Sequence, residues 1–117
     1  MKQISIKPTI QFGDLEKVDI RVGLIEEVED IEKSEKLVKL GVDFGEFKRT
    51  IVVGMKQERE DPREIEGKQA LFVVNLEPRE MMGIMSEGML LDIGFSNGIV
   101  PVLAMPEKKV DNGACAG

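Results

Sequence analysis

Residues 38–53 read Val38-Lys39-Leu40-Gly41-Val42-Asp43-Phe44-Gly45-Glu46-Phe47-Lys48-Arg49-Thr50-Ile51-Val52-Val53. Val38, Leu40, Val42 and Phe44 alternate with Lys39, Gly41 and Asp43, the period-two pattern of a strand with one face in a core and one in water. Gly45-Glu46 makes a tight turn, and the β-branched run Thr50–Val53 returns as an antiparallel partner. Upstream, residues 19–28 open with Ile20, Val22 and Leu24 on one face and Arg21 and Gly23 opposite, which predicts the third member of a meander. Gly23 and Gly41 inside these strands suggest bends or bulges, which a small barrel needs to close. Downstream, residues 69–74, 88–93 and 99–103 read as a fourth, a fifth and a short sixth strand. Between them, Asp61-Pro62-Arg63-Glu64 predicts a short helix from Pro62, with Asp61 as cap, Glu64 closing a capping box and Gly67 as stop. The pattern is all-β: a five-stranded antiparallel barrel with short helices.

A chain of 117 residues makes one domain, too short for two ordinary ones. With 42% apolar and 32% charged residues, a folded domain is expected rather than a disordered chain. No apolar run approaches the ~20 residues of a membrane helix, and residues 1–5 lack a signal-peptide core, so a cytoplasmic protein with no membrane insertion is expected. The absence of histidine excludes Ser-His-Asp and Cys-His catalysis and histidine metal sites; the lone Cys115 excludes an internal disulfide and a thiolate zinc cluster. No glycine-rich phosphate loop is present. No metal and no cofactor are therefore expected. Twenty-two acidic against 16 basic residues give a net charge of −6, which disfavours nonspecific coating of nucleic acid.

Three strings carry a resemblance: Phe12 with Lys17-Val18-Asp19-Ile20-Arg21-Val22-Gly23; Arg49-Thr50-Ile51-Val52-Val53-Gly54; and the whole run from Asn75-Leu76-Glu77-Pro78-Arg79 to Gly88-Met89-Leu90-Leu91. In this order and spacing the chain resembles the tRNA-binding domain appended to methionyl-tRNA synthetases and to cytokine-precursor synthetase cofactors. The same domain also occurs as free-standing dimeric tRNA-binding proteins and as CsaA export-related chaperones. The resemblance covers about residues 12–114, and its third string is the specific one. It implies an OB-fold domain over residues 12–117 behind an N-terminal extension of residues 1–11, a homodimer, and tRNA binding without catalysis. A methionyl-tRNA synthetase is then a partner served in trans. The family's tRNA-contacting positions fall on Lys36, Arg49, Asn75, Arg79, Ser86 and Met89. Two departures from the family pattern stand out: Glu80 where a base follows the Pro-Arg pair, and Glu32-Lys33-Ser34-Glu35 where Pro-Asn-Ala-Asp is usual.

These residue types suit RNA: lysine and arginine for phosphates, amide and hydroxyl groups for base edges, and a flat or deformable apolar surface for a splayed base. There is no Trp or Tyr, and the phenylalanines read as core apart from Phe47, so Met89 or Met85 would have to serve as the plate. Plainer roles stand beside these. Asn75 is also a turn former, Ser86 a loop lock, Arg21 the partner of a surface carboxylate, and the methionine cluster a core or dimer surface. The rival function is a CsaA-like chaperone whose groove, lined by Met81, Met82, Met85 and Met89, takes an unfolded or preprotein peptide. Apolar residues at both ends (Ile4, Ile6, Ile10; Val100, Val102, Leu103, Met105) point to dimerisation.

Overall fold

The alternation in residues 38–44 becomes the wall of the core. The computed structural model describes every residue from Met1 to Gly117. One helical turn, α1 (Phe12–Leu15), precedes three long strands: β1 (Ile20–Asp30), β2 (Val38–Asp43) and β3 (Lys48–Val53). A 3-10 turn at Pro62–Ile65 leads to β4 (Gln69–Val73) and then to a hairpin of β5 (Arg79–Met81) and β6 (Ile84–Ser86). Short strands follow: β7 (Met89–Leu90), β8 (Asp92–Ile93), β9 (Val102–Leu103) and β10 (Cys115–Ala116), with a 3-10 turn at Phe95–Asn97. The main sheet is antiparallel in the order β3-β2-β1-β4-β7, and β10 pairs with the start of β1. Its two ends meet where the Glu87 N–H donates to the Thr50 carbonyl at 2.8 Å, and this wraps the sheet into an OB-type barrel.

Val38, Leu40, Val42 and Phe44 are all buried, as their alternation requires, and pack with Ile25, Ile51, Ala70 and Phe72 in one core. Phe44 meets Phe72 edge to face at 5.4 Å and stacks on Phe47 at 5.1 Å, arrangements that aromatic quadrupoles favour. Phe47, expected exposed, is therefore partly buried; the outlying aromatics are Phe12 and Phe95, 73% and 69% exposed.

In β1 the inward face is the one carrying Gly23, not the one carrying Val22. A Cβ on Gly23 would stand 2.5 Å from Val42 Cγ1 and 2.8 Å from Phe44 Cε1, so this glycine makes room for those two side chains rather than a bend. The expected bulge lies further on, between Ile25 and Glu27, with Gly41 facing Glu27. It shifts the parity of the strand, so that Val28 joins Ile25 in the core. Val22 is buried under the C-terminal segment, donating to the Ala114 carbonyl and accepting from Gly113 N–H.

Other expectations change in detail. Asp61 caps the turn at Pro62 by accepting from Arg63 N–H at 3.0 Å, but the turn is 3-10, and Glu64 pairs with Arg59 at 2.6 Å instead of completing a capping box. The expected fifth strand divides at Leu91, where the chain exchanges β4 for the segment around β9: Leu91 N–H donates to Leu71, and its carbonyl accepts from Ala104 N–H. The sixth shrinks to β9, and Leu103, expected in an exposed terminal patch, is buried.

Gly23→Ala should lower stability by about 1–3 kcal/mol, because the added methyl overpacks a filled site. A fall in the urea midpoint with an unchanged m-value checks this; an unaltered midpoint would show that Val42 and Phe44 yield freely.

Candidate functional site

The chain leaving β4 builds a frame before it builds a surface. Asn75 closes the first joint: its Oδ1 accepts from Asp19 N–H at 2.9 Å and its Nδ2 donates to the Lys17 carbonyl at 2.6 Å, fastening the α1–β1 link to this loop. The β5–β6 hairpin turns on Met82 (φ 53°) and Gly83 (φ 80°), the left-handed pair of a two-residue turn. Its register sets Arg79 opposite Ser86, Glu80 opposite Met85 and Met81 opposite Ile84.

Ser86 is buried, accepting from Val52 N–H at 3.0 Å and donating to the Gly88 carbonyl at 3.3 Å. Glu87 answers on the other side, its Oε1 accepting from Thr50 N–H at 3.1 Å. Gly88 has to be glycine here, since a Cβ would lie 2.8 Å from the Val73 carbonyl oxygen. Arg49 Nη1 donates to the carbonyls of Val74 and Glu87 at 3.2 and 3.0 Å, and its guanidinium lies 4.9 Å from the centre of the Phe47 ring.

This frame encloses a groove of about 740 Å³. Leu37, Val53, Met55 and Leu76 contribute apolar lining, Lys36 and Arg79 are its cations, and Glu58, Glu77 and Asp92 its carboxylates. The formal charge of the lining is thus two positive against three negative. Of the six residues picked out in the sequence, the groove brings together Lys36, Arg79, Ser86 and Met89; Arg49 and Asn75 stand outside the lining, in the bonds described. Of the four methionines, Met81 and Met89 line it, whereas Met82 and Met85 are exposed on the hairpin. Sequence reasoning missed Met55, Phe95 and the acidic members; Met55, directly after the Arg49–Gly54 string, was the one with a signal. No group of three or more His, Cys, Asp or Glu side chains is placed to hold a metal.

Two carboxyls in the groove are perturbed. Burial pushes Asp92 up from the ordinary aspartate range. Glu58 is pushed up first by burial and then by the charge of Asp92, with Arg59 opposing.

Residues 20–115 match the family described as "Putative tRNA binding domain". The methionine–tRNA ligase of Parabacteroides distasonis is 43% identical over 109 residues, which are 93% of this chain and 16% of that enzyme, so the chain spans only a small part of the curated relatives it matches. A MetRS-related protein from Pyrococcus horikoshii superposes with a TM-score of 0.87 at 36% identity, covering 95% of this chain and 100% of that one. The chaperone CsaA of Bacillus anthracis superposes with a TM-score of 0.81 at 26% identity, covering 94% and 100% respectively.

The raised carboxyls fix a sign for pH dependence. A carboxyl raised in the folded state binds more protons there than in the unfolded chain between its two pKa values, so its contribution to stability falls as pH rises through that window. Glu58→Gln with Asp92→Asn should therefore flatten the decline in stability above the ordinary carboxylate range and raise stability at neutral pH. Urea titrations across pH check this; a double variant with the parent's pH profile would contradict it.

Proposed function

The chain belongs to the tRNA-binding domain family, and from that premise we propose that it is a non-catalytic domain that binds tRNA at the groove beneath the Asn75–Leu91 loop. The observation that carries this reading is the construction of that loop. Ser86 and Arg49 lock the loop that carries Arg79 and Met89 to the concave surface, which Lys36 also lines. Lys36 and Arg79 meet phosphates, while Met89 and Phe95 offer the apolar plate for a base that tryptophan or tyrosine would supply elsewhere. Ser86, Asn75 and Arg49 act chiefly through the frame: they hold the loop in the shape that RNA meets. Service to a methionyl-tRNA synthetase in trans, in the cytoplasm, is part of the proposal, supported by the matching stretch that the curated relatives carry within that enzyme. No helix is long and apolar enough to cross a membrane.

Dimerisation belongs to the same proposal. Reciprocal bonds tie residues 1–11, the extension to the domain of residues 12–117, to the turn at Phe95–Asn97: Lys2 N–H donates to the Asn97 carbonyl at 2.8 Å, and Asn97 Nδ2 donates to the Lys2 carbonyl at 2.9 Å. Exposed Ile4, Ile6 and Ile10 from one terminus and Val100, Val102 and Met105 from the other are more apolar surface than a small monomer ordinarily leaves in water. A second copy related by a two-fold axis covers them, patch against patch.

One observation favours a second reading. The groove has more carboxylates than cations, and Met55, Met81 and Met89 line it, which suits an extended apolar peptide, as in a CsaA-like chaperone for unfolded or preprotein chains.

Titration with unfractionated tRNA at several salt concentrations tests the first reading. Arg79→Ala should flatten the log–log salt slope by about one unit. Arg49→Ala should weaken affinity with little change of slope, since its guanidinium already serves two carbonyls. A Kd no tighter than about 10⁻⁴ M at physiological salt overturns RNA binding; tight binding of an apolar peptide instead installs the second reading. Sedimentation at micromolar concentration should give a dimer, and a monomer there would refute that part.

A further inference from the structure

At the opposite end of β4 from the groove lies a second hollow, of about 590 Å³. Its charged lining is Lys68, Lys108 and Lys109, and no carboxylate lines it; Glu107, between Pro106 and Lys108 in the chain, is not among its residues. All three lysines are exposed and none is in an ion pair, whereas Lys17, Arg21, Lys39, Lys48, Arg59 and Arg63 each have an acidic partner.

The hollow is held in shape from within. Gln69, buried at the start of β4, donates through Nε2 to the Val110 carbonyl at 2.7 Å and to Asn112 Oδ1 at 2.8 Å, and accepts from Val110 N–H at 3.2 Å. These bonds fasten the segment that follows Lys108-Lys109 against the barrel, and Asn112 lines the hollow as well. In a chain of net charge −6, three uncompensated cations thus converge on one concavity, while the groove has the opposite excess.

We propose that the hollow bounded by Lys68, Lys108 and Lys109 is a second contact for the RNA, binding its phosphodiester backbone. The inference rests on the tRNA reading and deepens it. The groove supplies few cations and an apolar surface suited to bases, so the phosphate attraction that dominates protein–RNA affinity comes largely from the hollow. Gln69, at its edge, is four residues from Val73, the partner of Met89 at the groove. At the rise of an extended strand that is roughly 13 Å, within reach of one folded RNA.

The test compares three proteins in tRNA titrations over a range of salt: the parent chain, Lys68→Ala/Lys108→Ala/Lys109→Ala, and the same triple change to arginine. The alanine variant should flatten the log–log slope by about two units or more, and the arginine variant should keep the parent's slope. Exposed lysines can be exchanged without unfolding, and circular dichroism verifies this. Parent and alanine variant binding tRNA with equal slopes would overturn the second contact and leave the groove reading intact. A parent chain that fails to bind tRNA would overturn both.

Discussion

The buried hydroxyl of Ser86 stands between two backbone groups, the Val52 N–H that it satisfies and the Gly88 carbonyl to which it donates. Around it, Glu87 and Thr50 exchange two further bonds, and Arg49 draws the carbonyls of Val74 and Glu87 together. This is where β3, otherwise an open edge, meets the chain entering β7. An unpaired edge strand invites association with other chains, and buried backbone groups without partners are costly, so the seam is what permits a closed barrel. Since Val52, Ser86 and Gly88 of this seam also line the groove, its geometry and the closure of the fold are one constraint.

The electrostatic layout follows from that placement. Lys36 and Arg79 reach the groove from the approach to β2 and from β5, whereas Glu58 comes from the connection between β3 and the turn at Pro62, Glu77 from the β4–β5 connection and Asp92 from β8. The result is an excess of acid in the groove and of base in the hollow beneath Gln69, a separation of opposite local charge within one small barrel. A net charge taken over the whole chain conceals this separation, because screening in salt makes the potential within about 10 Å decide what binds.

The strands were legible wherever alternation and turn chemistry agreed. Residues 38–53 form β2, the turn and β3 within their expected bounds, and Pro62 begins a short helical turn behind its Asp61 cap. Reading failed where a bulge or a change of partner intervened. The parity of β1 depends on the shift between Ile25 and Glu27, and the division of residues 88–93 depends on Leu91 bonding to β4 and to Ala104 at once. Gly41 signalled a bulge without fixing its place in β1, and nothing local marks the exchange at Leu91, because each is decided by what lies across the sheet.

The candidate site divides in the same way. From sequence alone came the small antiparallel barrel, the loop string Asn75–Leu91 and the residue types suited to RNA, because periodicity and motif are properties of the chain itself. Tertiary structure alone decided that Asn75 clasps Lys17 and Asp19, that Arg49 serves carbonyls, that Met82 and Met85 turn outward, and that Lys68 shares a hollow with Lys108 and Lys109. The physical reason is that a hydrogen bond or a local charge balance is made between groups brought together by folding, some of them about forty to sixty residues apart in the chain, and no window along the sequence contains both.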